Sequence, residues 1–494
     1  MGLVEVDAAR DRTRPQPHRF VVLAVVLAGL LAVNWTYTIF AVALTRIGAT
    51  FHTSESTTTW VLTAPLLCFA VAAPVLGKLG DRVGHRRVYL CGTLLTIVAA
   101  LLTATAPSFG VLVAARALSG LVGAATGTAS MAIVLRAFDQ ESRVKAMGWW
   151  SLVGAGGPVL GVVIGGVLID DFGWRSLFLV QGAAILLTTV LAAAVLPRSR
   201  PSADAAEPFD LAGAGLLAVA CLGLLLGLNR GPASGWASPL VLCSFAAVPA
   251  ALYGFASVER RAARPVLPLH LLRKRNFGFA IANQFFANFA YMGGFILSPL
   301  LLERVFGDTA SAAGLTVIAR PLVFSIAAPL AGYAAARTSK RLTAVAGGVT
   351  LTASMAVFVL VTHAAGVSLV VVGLALSGLA LGLSSPAASA SAANEVEDAD
   401  LGMVSSTTQL MSQLGTVAGI QVLETVQAGA QRSAGVVGSF HDAFVAGIAA
   451  GLLATACAAG LAKRRVADGE PDPTGAVVLA EEPQPAGVVA LVEA

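Results

Sequence analysis

The sequence predicts an all-α polytopic membrane protein, two six-helix bundles joined by an inserted pair of helices, with fourteen spanning helices in all. Three observations lead there. First, 56% of the 494 residues are apolar and 12% charged, with a mean hydropathy of +0.80, too little polar material to clothe a soluble protein of this length. Second, the apolar residues come in long continuous runs; a bilayer core of ~30 Å takes about 20 residues of helix, and the short alternations of barrel strands are not seen. Third, a charged segment after the second run has an echo after the tenth.

The elements follow in order. The basic segment Arg10 to Arg19 leads straight into the first run, 20–45, which is long enough to span and so serves as its own insertion signal. Runs two and three, 58–79 and 87–106, flank GKLGDRVGHRR (Gly77 to Arg87), read as a loop whose glycines let the backbone turn tightly. Runs four to six lie at 109–133, 144–169 and 175–196. The fifth holds VGAGGPVLGVVIGG (Val153 to Gly166), where glycines permit tight helix contact and Pro158 removes one ladder bond. The inserted pair is 211–229 and 238–258; the second bundle is 277–302, 312–336, 342–362, 366–390, 403–427 and 441–461. The resulting organisation is an N-terminal segment 1–19, a bundle 20–196, a linker with two extra helices 197–276, a bundle 277–461 and an acidic, Pro-bearing tail 462–494 expected to be disordered.

Charge fixes the orientation. With loops placed on alternating sides, five of the 32 Lys and Arg (Arg46, Arg175, Arg230, Arg304, Arg432) fall on one side, Arg116 and Arg320 fall inside runs, and all the others share the second side. That asymmetry puts both termini and the Gly77 to Arg87 segment in the cytoplasm of a multi-pass protein. It also accounts for the net charge of +5 without nucleic acid. All five cysteines lie within runs and show no ligand spacing, so neither disulfide nor metal is expected. The six histidines are scattered, and none has a nucleophile or carboxylate at a recognisable catalytic spacing, so no enzyme or cofactor is expected.

The echo is GYAAARTSKR (Gly332 to Arg341): aligning Gly77 with Gly332 pairs Arg82 with Arg337 and Arg86 with Arg341, while Asp81 meets Ala336. Six helices, a pair, then six more is how a duplicated transporter with an inserted hairpin reads. Gly77, Leu79, Asp81, Arg82, Gly84, Arg86 and Arg87, with Leu112, Arg116 and Gly120 in the fourth run and Gly157, Pro158 and Gly161 in the fifth, resemble motifs of the major facilitator superfamily, specifically its drug:proton antiporters with about fourteen spans. Trp174, Arg175, Phe178 and the stretch RPVLPLHLLRKRNF (Arg264 to Phe277) are similar to the same group. The resemblance implies a monomer exporting small hydrophobic or cationic compounds, with protons as the counter-substrate and lipid around it. It also implies a cytoplasmic gate at Asp81, for which Arg136 is the candidate partner. One departure stands out. Where the family carries an Asp in its first helix, this chain has Thr36, Tyr37 and Thr38 ahead of Ala43, Leu44 and Thr45.

Candidate site residues are the polar groups inside the runs. Arg116 lies about 10 Å below the outer surface at ~1.5 Å per residue, and Asn34 and Thr36 about 13–16 Å below it, so the three can share a polar patch. Glu424 and Arg320 are a buried acid and cation within reach of each other; the alternative is that Glu424 reaches outer water and Arg320 pairs with Glu303. Gln284, Asn288 and Tyr291, and Gln409 and Gln413, form helical stripes that either line a cavity or bond helices together. An anionic solute handled by the two arginines, with other coupling or none, is the second function the residues allow; a passive scaffold has no reason to bury them.

Overall fold

The computed structural model describes residues 19–36, 46–53, 58, 60–197, 211–261, 269–363 and 366–462, and among these the regular elements are all helical. We number the main helices α1 Arg19–Asn34, α2 Trp60–Val83, α3 His85–Ala104, α4 Phe109–Ala137, α5 Arg143–Phe172, α6 Ser176–Val195, α7 Leu211–Ser234, α8 Pro239–Glu259, α9 Arg275–Leu301, α10 Ala319–Arg337, α11 Lys340–Val359, α12 Val367–Ala393 and α13 Leu401–Gly460. A π-helical turn, Leu302–Phe306, prolongs α9, and a short helix, Ala310–Val317, leads into α10.

Ten helices among the described residues are long and apolar enough to cross a bilayer, fewer than the fourteen expected. The described apolar parts of α1 and α7, Arg19–Asn34 and Ala212–Leu228, are shorter than these. The first half of α13 is polar, and its Ser405, Ser406, Thr407 and Thr408 are buried. Such residues belong on helices that face other helices rather than lipid. The lipid side is seen on α3 and α6, where Leu94, Leu95, Leu101, Leu186, Leu187 and Val190 are exposed.

Two expected loops are replaced by helix. The segment Gly77 to Arg87 is no open turn: α2 runs through Asp81 to Val83, Gly84 alone breaks the chain at φ 97°, ψ 129°, and α3 starts at His85. A positive φ of this kind suits glycine, so one residue suffices for the break. The gap expected between 427 and 441 is likewise helical, α13 continuing with a single non-helical residue, Gly435 at φ 71°.

Helices α1 to α6 pack together, α9 to α13 pack together, and the α7–α8 hairpin leans on α2 and α13. The two groups meet along two seams, α2 with α13 and α5 with α10. Both seams are backbone contacts. A Cβ on Gly77 would lie 2.7 Å from the Gly402 carbonyl oxygen, and one on Gly332 would lie 2.7 Å from that of Val144. These are the two glycines the repeat aligns, each at the far end of its helix against the start of a helix from the other group. Helix α5 is glycine-lined on both faces: Gly148 and Gly156 face α10, whereas Gly157 and Gly161 face α1.

The α1–α5 contact yields a direct test. A Cβ on Gly161 would sit 1.8 Å from the Trp35 carbonyl oxygen, whereas one on Gly154 would meet nothing within 4 Å. Gly161→Ala should therefore destabilise by about 1–3 kcal/mol, while Gly154→Ala should be neutral or stabilising by up to about 1 kcal/mol. Thermal unfolding in detergent distinguishes them, and equal melting temperatures for the two variants would refute the packing.

Candidate functional site

The carboxylate of Asp81 sits at the N-terminus of α13, across the α2–α13 seam. Its Oδ1 accepts from the Gly402 N–H at 2.9 Å, from Arg136 Nη2 at 3.3 Å and from His85 Nε2 at 3.1 Å; its Oδ2 accepts from the Met403 N–H at 2.9 Å. A carboxylate only accepts, so the His85 proton is on Nε2. Asp81 is 8% exposed and His85 1%. The position is favourable because the first N–H groups of a helix have no intrahelical partner and carry partial positive charge. Asp400, at the cap position of α13, forms no capping bond, so Asp81 acts as the cap from the opposite bundle. The contact requires bare backbone: a Cβ on Gly402 would lie 2.6 Å from Asp81 Oδ1, and one on Gly80 2.4 Å from His85 Nδ1.

The rest of the segment divides by role. Arg86 donates to the Ala193 carbonyl at 2.6 Å and ties α3 to α6 within one bundle, Arg87 is exposed, and Arg82 is half-buried. Beside the clamp lies a second one centred on Arg143, which is 3% exposed: Nε donates to the Leu135 carbonyl at 2.9 Å, Nη1 to the Ala393 carbonyl at 3.4 Å, and Nη2 to Asp398. The turn that delivers Arg143 is pinned by Asp139, whose carboxyl is held below its usual range by the Ser142 N–H, 2.8 Å away, and by Arg19. Ser405 Oγ donates to the Thr128 carbonyl at 2.7 Å, and the Gln140 carbonyl accepts from Lys340 and Asn394. These cross-bundle bonds gather at the end that carries Gly84.

Arg116 is 4% exposed inside the first bundle. Its Nε donates to the Val61 carbonyl at 3.3 Å, and its guanidinium carbon lies 5.8 Å from the Phe178 ring centroid. It shares a pocket with Thr36, Thr96, Thr103, Ser119 and Gln181, drawn from α1, α3, α4 and α6, with room for about one water. Gln181 Nε2 donates to Thr36 Oγ1 and to the Val33 carbonyl, both at 2.9 Å. Thus Arg116 and Thr36 come together as expected from depth, whereas Asn34 lies apart against Gly157. Tyr37, Thr38 and Ala43 to Thr45 lie outside the described residues, as does the Pro158 side chain.

Arg320 pairs with neither expected acid. Its Nη1 donates to the Tyr291 carbonyl at 2.6 Å, and its guanidinium lies 3.3 Å from the Tyr291 ring centroid and 4.0 Å from that of Phe295. Two aromatic faces one turn apart on α9 thus take the place of a carboxylate. Glu303 and Glu424 make no ion pair with it, and Glu424, half-buried, has no hydrogen-bond partner among the described residues. Helix α13 runs on past Glu424 to Gly435, eleven residues or about 16 Å further along its axis.

Of the polar stripes, Gln284 Nε2 donates to Ser389 at 2.9 Å and Asn288 Nδ2 to the Gln284 carbonyl at 2.8 Å and to Ser412 at 3.3 Å. These bonds join α9 to α12 and α13. Gln409 faces the other bundle, its Oε1 3.0 Å from where a Cβ on Gly127 would lie, and Gln413 on the same helix is half-buried. Sequence reasoning missed His85, Arg143 and Gln181. A lone amide in the apolar run SLFLVQGAAILL was a usable signal for Gln181; Arg143 looked like any other cation of a basic loop.

Comparison with known proteins bears on what this arrangement belongs to. The chain is 32% identical over 406 residues to the multidrug resistance protein Stp of Mycobacterium tuberculosis (strain CDC 1551 / Oshkosh), covering 81% of this chain and 74% of that protein. It is 28% identical over 424 residues to the multidrug efflux pump LfrA of Mycolicibacterium smegmatis, covering 85% and 83%. The fold superposes on the human organic anion transporter MFSD10 with a TM-score of 0.66 at 18% identity, over 90% of this chain and all of that one. The family model of the Major Facilitator Superfamily matches residues 24–420 and, again, 280–476; with a multi-pass helical fold and a match over most of its length, the chain belongs to that superfamily.

Proposed function

We propose that this protein exports small hydrophobic or cationic compounds across the cytoplasmic membrane by alternating access, with proton entry as the driving force. The observation that carries the reading is the Asp81 clamp: a carboxylate on one bundle bound to a helix terminus on the other can be made and broken as a unit. The relatives' names, multidrug resistance and multidrug efflux, support the substrate class. With the basic loops in the cytoplasm, the clamped end is the cytoplasmic one, and the structure is the conformer closed on that side.

Proton coupling needs a group that binds a proton in one state and releases it in another. Thr36 cannot do so, and Asp81 is committed to the clamp. We assign the role to Glu424, an acid within the helical bundle with no described partner. The alternative, an anionic solute, loses support from the geometry, since Arg320 is sealed between aromatic rings and Arg116 opens into a water-sized pocket inside one bundle.

Two outcomes follow. Asp81→Asn keeps the shape but forfeits charge-assisted bonds, so the closed conformer should lose about 2 kcal/mol, a ~30-fold shift in the opening equilibrium. Dye efflux from cells expressing it at normal levels should drop at least about tenfold; wild-type efflux would reduce the segment to a topology signal. Glu424→Gln in proteoliposomes should abolish proton movement on substrate addition while retaining substrate exchange. Undiminished proton movement in that variant would remove Glu424 from the coupling role.

A further inference from the structure

The α5–α10 seam has an exposed edge with an ordered chemistry. Lys145 and Trp149 stand one turn apart on α5; Tyr333 and Arg337 stand one turn apart on α10. Because α5 begins at this end and α10 finishes there, Lys145 and Arg337 occupy the outermost turn, with Trp149 and Tyr333 about 5–6 Å deeper. Trp149 is 38% exposed and Tyr333 41%; the indole N–H donates to the Tyr333 hydroxyl at 3.5 Å, and the Lys145 ammonium lies 5.8 Å from the Tyr333 ring centroid. Neither Lys145 nor Arg337 has an acidic partner among the described residues. Below the aromatics, exposed Leu330, Ile326 and Leu322 continue the same face of α10 along the helix.

Two cations, then two aromatic rings with polar tips, then an apolar stripe is the profile of a phospholipid read from phosphate to glycerol ester to acyl chain. We propose that this edge binds an anionic phospholipid, its headgroup phosphate held between Lys145 and Arg337 and its chain lying along Leu330, Ile326 and Leu322. A zwitterionic headgroup would bring its own ammonium against two cations, so the site selects net negative charge. The two cations belong to opposite bundles, and the seam between them is the backbone contact of Gly332 with Val144. A lipid seated there spans the seam and holds the two bundles together along it.

Thermal unfolding of the purified full chain in mild detergent, titrated with phosphatidylglycerol, phosphatidylcholine or inorganic phosphate, tests this. Phosphatidylglycerol should raise the melting temperature and the other two should not. Lys145→Gln with Arg337→Gln should raise the phosphatidylglycerol concentration for half-maximal effect by about tenfold. Replacing Arg260 and Arg261, an exposed basic pair after α8, by Gln should change nothing. Arg337→Gln alone, at an exposed position, should show a partial loss and serves if the double variant does not fold. The proposal is overturned by an equal response to phosphatidylcholine, by an equal response to phosphate, by wild-type titration of the Lys145 and Arg337 variants, or by an equal loss in the Arg260 and Arg261 control.

Discussion

The N-terminus of α13 is capped from the other half of the molecule, and much of the surrounding structure follows from that bond. To bring Asp81 onto the Gly402 and Met403 amides, α2 and α13 must touch backbone to backbone, which only Gly77 and Gly402 allow. A carboxylate so enclosed would be costly if its oxygens were unsatisfied. Four donors meet it, two from α13, one from Arg136 on α4 and one from His85. His85 reaches it only because the chain reverses over a single residue, Gly84, and returns the ring onto Gly80. Each of these small or charged residues is thereby explained by one geometric demand rather than by a separate role.

The repeat makes the opposite seam instructive. There Ala336 stands where the alignment puts Asp81, and Ala335, Ala336, Val144 and Ala390 pack as an apolar contact. One seam is closed by a buried ion and helix-end amides; the core of the other is closed by small apolar side chains, with the Trp149–Tyr333 bond at its exposed edge. Water entering the first can replace every bond it breaks, whereas parting the apolar core of the second exposes surface that water does not compensate. The α2–α13 seam is thus suited to act as the latch and the α5–α10 seam as the pivot. The lipid proposed at Lys145 and Arg337 would reinforce the pivot.

Much of the fold was legible because hydropathy reports lipid contact directly: the expected runs fall on helices throughout the described residues. Asp81 and Arg136 were legible as a pair because a lone acid among cations on adjacent helix ends has few choices. Arg320 was misread for a different reason. Position along a helix fixes depth at ~1.5 Å per residue, but not the direction a side chain faces, and Tyr291 and Phe295 were closer than any carboxylate. His85 went unread because it looked like part of a solvated loop; only the extension of α2 through Asp81 places it four residues on, in contact with the carboxylate.

The account rests on the claim that Asp81 holds the two bundles together at the end that carries Gly84. Double electron–electron resonance between spin labels at Arg87 and Glu397, both exposed and on opposite bundles, tests it in a background without the five native cysteines. The account predicts one dominant short distance in the otherwise native chain and a second, longer population when Asp81 is replaced by Asn. An identical distance distribution in the two proteins would contradict it.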